Sequence, residues 1–138
     1  MVDDDLDIHE VTRFTLEGKV CNGRGLIIQS AYSGAQALQL VAKSGNQLPD
    51  LVLIDVVMTT PTDGIDTAHN IRLILKQHKT PYIIVRTGQA GYQDIDAIRK
   101  DKTIDCVLLK AEVTSRRLRN AVFRGLIDSS QRAIGRSR

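Results

Sequence analysis

The chain has 138 residues, with 19 Lys or Arg against 16 Asp or Glu and a net charge of +3, a size that fits one domain with a sizeable core. No apolar run approaches the roughly 20 residues that span a bilayer, and no secretory h-region opens the chain, so no membrane segment and a cytoplasmic location are expected. Cys21 and Cys106 lack CxxC spacing, and His9, His69 and His78 fall at no ligand spacing, which argues against disulfides and histidine-held metal.

Val2 and the acids Asp3-Asp4-Asp5 read as the end of a strand entering an acidic loop. Leu6 to Leu16 follows as a helix with Ile8, Val11 and Thr15 on its apolar face and Phe14 beside them. Gly18 and Asn22-Gly23-Arg24-Gly25 break it. Leu26-Ile27-Ile28 with Ala31 is the second expected strand, and Ser33-Gly34 starts a helix carrying Ala35, Leu38, Val41 and Ala42 at helical spacing. Ser44-Gly45-Asn46 ends that helix. Leu51 to Met58 opens with four apolar residues after the turn pair Pro49-Asp50, the pattern of a strand buried on both faces of a parallel sheet. After the turn-rich segment Thr59 to Gly64 comes a helix with Ile65, Ala68, Ile71 and Leu75 as its inward stripe. Tyr82 to Thr87 is the fourth strand. Gln89 to Thr103 has only a thin apolar stripe, with Ile95 and Ile98 suggesting one short helix in the most irregular of the crossovers. Cys106 to Leu109 is the fifth strand, ending in Lys110, and Leu118, Val122, Leu126 and Ser129 mark a last amphipathic helix.

Strands alternating with helices imply βαβ units. The expected fold is α/β: a flavodoxin-like doubly wound, five-stranded parallel sheet of order 2-1-3-4-5 with helices on both faces. Residues 1–129 form the domain and 130–138 a basic tail or linker. In that order the first strand is central, yet only Met1 and Val2 precede the acids, so a stub is expected there. Either the natural protein extends further at this end, or another element fills the slot.

The expected strands end in Asp3-Asp4, Asp55, Thr87 and Lys110, which a doubly wound sheet brings to one edge, where ligands bind in such folds. Asp55 is costly to bury as an unpaired charge, though it could simply cap the next turn. Three carboxylates together repel unless a cation joins them, and oxygen donors suit Mg²⁺. With Lys110 and the Thr87 hydroxyl, the set suits an incoming phosphoryl group.

On these residues the chain resembles the receiver domain of two-component response regulators, from Val2 to about Ser129. The resemblance implies that Asp55 is the phosphoacceptor. It also implies that Asp4 is a direct Mg²⁺ ligand, that Asp3 acts through water, and that Val57 offers its backbone carbonyl. Thr87 is then the switch hydroxyl, and Lys110 pairs with the phosphoryl oxygens; Met58 and Asp63-Gly64 also fit the family pattern. Implied partners are a sensor histidine kinase or phosphotransfer protein and an output domain or partner protein, with a homodimer as a further possibility. Asp7 to Arg13, Ala31 to Ala35 and Arg86 to Gln89 are similar to a subgroup whose receivers precede cyclic-di-GMP phosphodiesterase or related signalling domains.

Three features depart from the family pattern. Ala111 follows Lys110 where many receivers have a cis proline, so a trans bond is expected. Val107 replaces an aromatic residue, which argues against a ring-swing switch. The loop after Asp55 is a residue longer, with Pro61 displaced. A dehalogenase-type phosphatase would need an acid at Val57, and a flavodoxin would need a phosphate loop where the three aspartates stand. The remaining rival is a receiver-shaped interaction module that is not phosphorylated.

Charge is uneven as well. Five acids lie in the first ten residues and seven arginines between Arg116 and Arg138. No aromatic or DNA-reading motif accompanies the arginines, so Arg116, Arg119 and Arg124 are expected to serve a protein contact rather than DNA.

Overall fold

A computed structural model describes residues 1–43, 45, 47–76, 79–88 and 95–136. Ser44, Asn46, Gln77, His78, residues 89–94 of the irregular crossover, and the last two residues of the basic tail lie outside these. Helix α1 spans Leu6–Leu16; Asp5 caps it by accepting from the Asp7 N–H at 2.9 Å, as an N-cap aspartate does. A two-stranded hairpin follows, β1 (Val20–Cys21) and β2 (Arg24–Gly25), antiparallel around Asn22-Gly23. Both turn residues have positive φ, 54° and 79°, the primed-turn geometry that Asn-Gly favours. Then come α2 (Gly34–Lys43), β3 (Leu51–Asp55), α3 (Asp63–Leu75), β4 (Tyr82–Thr87), α4 (Ile95–Lys100), β5 (Cys106–Leu109) and α5 (Ser115–Arg136).

Strands β3, β4 and β5 form a parallel sheet in that order, with Asp55 opposite Arg86 and Thr87 opposite Leu109. Val2 makes isolated parallel bridges to Ala31 on one side and Ile54 on the other. The Val2 N–H donates to Leu53 O at 2.8 Å and the Asp55 N–H to Val2 O at 2.9 Å. These bonds hold Asp3 beside the end of β3.

Side chains alternate across the sheet with period two. Val52, Ile54, Ile83 and Val85 pack with Ala37, Val41, Ala68, Ile71 and Leu75 from α2 and α3. Leu53 and Ile84 face Leu16, Leu118 and Val122 from α1 and α5. Ile54, Ile83, Ile84 and Val85 are wholly buried, each stabilising the fold by roughly 1.5–3 kcal/mol. No helix among the described residues is long and apolar enough to cross a membrane.

Several local expectations are corrected. The second strand is not Leu26–Ile28: the hairpin precedes it, Ile27 is 93% exposed, and only Ala31 bridges Val2. Helix α1 buries His9, Thr12 and Leu16, while Val11 and Phe14 are exposed. The reason is chemical: polar partners await the polar face. His9 Nε2 donates to Asp3 O at 2.7 Å, and Thr12 Oγ1 accepts from Arg86 at 3.1 Å. In α2, Ala35 and Ala42 are exposed and Ala37 is buried instead. Helix α5 runs on to Arg136. The stripe of α3 and the strands β4 and β5 match their expected positions. The peptide before Ala111 is trans.

Candidate functional site

The site lies at the carboxyl ends of the strands. Asp55 closes β3 and is 3% exposed; Asp3 follows Val2 and is wholly buried; Asp4 is exposed at the rim. Ligand oxygens of Asp3, Asp4 and Asp55 lie within 4.8 Å of one another. Lys110 Nζ, just past β5, reaches Asp55 Oδ2 at 3.0 Å, and the Val57 N–H donates to Asp55 Oδ1 at 3.3 Å. Thr87 is buried at the end of β4, and its carbonyl accepts from the Lys110 N–H at 2.9 Å. All six residues singled out from the sequence therefore cluster at this edge.

The electrostatics favour a cation. Burial pushes the Asp3 carboxyl above its usual 3.8; a bond from the Asp5 N–H works the other way, and the charge of Asp55 adds to the rise. Asp3 Oδ2 is buried without a hydrogen-bond partner among the described residues, which is expensive for a carboxylate oxygen. Three oxygen donors, one of them orphaned, suit a hard divalent ion such as Mg²⁺.

The backbone beside the acceptor is built tightly. Gly64, in the first turn of α3, donates its N–H to Val56 O at 2.9 Å, and a Cβ there would lie 2.0 Å from Asp55 O. The loop before it is tied by Asp63, whose carboxylate accepts from the Thr60 N–H and hydroxyl, both at 2.8 Å. Those bonds hold the exposed Asp63 carboxyl below its usual value.

Both the sequence and this geometry have counterparts in known proteins. The family described as "Response regulator receiver domain" matches residues 1–123. The chain belongs to that family. The receiver is 36% identical over 123 residues to the "3'3'-cGAMP-specific phosphodiesterase 2" of Vibrio cholerae serotype O1. That match covers 89% of this chain but 23% of the relative, so the chain spans about a quarter of that protein's length. In fold, the receiver resembles a CheY-like receiver domain protein from Methanospirillum hungatei, with TM-score 0.73, 19% identity and coverage of 95% and 94% of the two chains. A response regulator receiver protein from Sinorhizobium medicae gives TM-score 0.69 at 26% identity, covering 91% and 90%. A receiver of this family is a regulatory element of two-component signalling.

Two residues around the site escaped the sequence reading. His9 holds the Asp3 backbone from below, its Nδ1 3.1 Å from Ser30 Oγ and its ring 4.5 Å from that of Tyr32. Nothing in the spacing of a lone histidine announces that role. Arg86 is different. It is a charge that directly follows the apolar run Tyr82-Ile83-Ile84-Val85, and it is 6% exposed; a buried guanidinium in a strand is itself a signal of an electrostatic task.

Proposed function

We propose that this receiver takes up a phosphoryl group on Asp55, with Mg²⁺ held by Asp55, Asp4 and the Val57 carbonyl, and by Asp3 through water. The observation that carries the reading is the carboxylate triad at the strand ends with Lys110 Nζ 3.0 Å from Asp55. Bound Mg²⁺ supplies charge neutralisation at the triad and at the phosphoryl oxygens. An Asp55 oxygen forms the new O–P bond as the N–P bond of a donor phosphohistidine breaks, and the imidazole keeps the electron pair. Lys110 moves from the Asp55 carboxylate to the arriving oxygens, exchanging one charged partner for another.

The product carries roughly two negative charges. Thr87 turns its hydroxyl toward them and tightens the chain after β4. With Val107 in place of an aromatic ring, the change is read through that loop and the face of α4, β5 and α5 rather than by ring rotation. The donor is a sensor histidine kinase or phosphotransfer protein in the cytoplasm. Residues 1–129 act as the signalling unit, and Arg116, Arg119 and Arg124 of α5 as a contact to an output or to a second copy. The 36% identity to a cyclic-dinucleotide phosphodiesterase supports an output in cyclic-dinucleotide turnover.

The test is incubation with a small phosphodonor and Mg²⁺ followed by intact-mass measurement. One added phosphoryl group is expected on the native chain and none on Asp55→Asn. A native chain that gains no phosphoryl group, or an Asp55→Asn chain that still gains one, would point instead to an interaction module.

A further inference from the structure

Arg86 has no role in the phosphoryl-accepting chemistry above, yet it is the one strand residue whose charge the surrounding packing does not explain. The β4 register sets it opposite Asp55, and its carbonyl accepts from the Val56 N–H at 2.9 Å. Alternation along β4 puts its side chain with Tyr82 and Ile84 on the α1 and α5 side of the sheet. There Nη1 donates to Thr12 Oγ1 at 3.1 Å, while Nε and Nη2 are buried with no hydrogen-bond partner among the described residues. Among the described residues it forms no ion pair. Among the described residues Asp3 Oδ2 is the other buried side-chain atom left without a hydrogen-bond partner. Thr12 and His9 lie one turn apart on α1, so one helix fixes both the guanidinium and, through His9, the backbone of Asp3.

A buried guanidinium persists at such a place only if something offsets its desolvation. The charges of Asp3 and Asp55 do so in part: burial pulls the Arg86 group below its usual value, and those two carboxylates act against that fall without cancelling it.

We propose that Arg86 is a built-in counter-charge for the Asp3–Asp4–Asp55 triad, a positioning residue that holds the metal-free site together and weakens its grip on Mg²⁺. A fixed positive charge beside the triad offsets repulsion among the carboxylates when no cation is bound, and it repels the cation when one arrives. The metal-free and metal-bound receivers are thereby brought closer in free energy, and occupancy of the site responds to the free Mg²⁺ concentration. This rests on the assignment of the triad as the Mg²⁺ site, and the two can fail separately.

The experiment is a Mg²⁺ titration by calorimetry on the native chain, Arg86→Met, Arg86→Gln and Arg86→Lys, with melting temperatures in EDTA. A nearby buried charge typically moves an ionic equilibrium by one or more powers of ten. Both neutral variants are therefore expected to bind Mg²⁺ about tenfold tighter, and Arg86→Lys to stay within about threefold of the native chain. In EDTA, Arg86→Met should melt lower than the native chain, and Asp3→Asn should remove most of that loss in the double variant, because the paired charge is then gone. Neutral variants that fold and bind Mg²⁺ no tighter than the native chain would overturn the proposal, as would Arg86→Lys binding as tightly as Arg86→Met. If the native chain binds no Mg²⁺, the metal assignment fails on its own, and the EDTA cycle still decides: additive losses from Arg86→Met and Asp3→Asn would refute the counter-charge.

Discussion

Replacing Gly64 by alanine should damage stability and phosphoryl acceptance together, and the structure sets the size of both. A Cβ at Gly64 would stand 2.0 Å from Asp55 O, 2.6 Å from Val56 Cα and 2.7 Å from Asp55 C. Optimal carbon contacts lie near 3.5 Å, so α3 and the end of β3 must separate by about 1.5 Å. All three atoms belong to the backbone that carries the acceptor, and no rotamer change relieves the clash. Overpacking of this kind costs about 1–3 kcal/mol, a fall in Tm of roughly 4–12 °C for a domain of this size. A displacement near 1 Å at a reacting group costs about 100-fold in rate. Thermal melts and phosphorylation time courses with a small phosphodonor measure the two effects side by side. Gly135→Ala is the control, because nothing lies within 4 Å of a Cβ there; in a helix it should be neutral or stabilising by up to about 1 kcal/mol. A Gly64→Ala chain with native Tm and a rate within about threefold of native would refute the argument from close approach.

Lys110→Ala removes the one cation in an ion pair with Asp55 among the described residues and should slow phosphoryl acceptance by about 100-fold; a native rate would remove Lys110 from the mechanism. Asp105→Asn should cost about 3 kcal/mol in urea melts, since Asp105 accepts from Arg132 Nη2 at 2.6 Å, Arg72 Nη2 at 3.0 Å and the Ile83 N–H at 2.8 Å. Burial raises the Asp105 carboxyl, but the Arg132 bond, the Ile83 N–H and the arginine charges outweigh it and hold the group below 3.8. Its stabilisation is therefore complete above the unfolded carboxylate value and disappears as pH falls through the lower folded one; Asp105→Asn should flatten that acid limb, and an unchanged limb would contradict the assignment. Phe14→Ser should change stability by less than about 0.5 kcal/mol, because Phe14 is 89% exposed; a loss above 2 kcal/mol would mean that α1 buries its apolar face after all.

The elements that could be read from sequence are those where one physical signal dominates. Leu51 to Asp55, Tyr82 to Thr87 and Cys106 to Leu109 are apolar runs bounded by turn formers, and they are the three paired strands of the sheet. The site residues could be read because a charge at the end of such a run is costly to bury unless a partner or a ligand meets it. Helix α1 defeated the same logic. Its limits were legible, yet its apolar pattern pointed to Ile8, Val11 and Thr15, while His9 and Thr12 go inside. Hydrophobic periodicity assumes an apolar neighbour, and here the neighbours are the Asp3 carbonyl and the Arg86 guanidinium. Asn22-Gly23 was legible as a break but not as the hairpin it makes, because a two-residue strand has no periodicity to read.

The three paired strands, the helices between them, the family, and the acid, hydroxyl and lysine set were legible in the sequence by itself, since each is written in local pattern and residue type. Tertiary structure alone decided which face of α1 is buried, why residue 64 must lack a side chain, and where the charge of Arg86 goes. Those are settled by contacts between segments far apart in the chain: Arg86 with Thr12 across 74 positions, and Lys110 with Asp55 across 55. A buried charge or a missing Cβ has meaning only once the partner that satisfies it, or the backbone that excludes it, has been brought alongside.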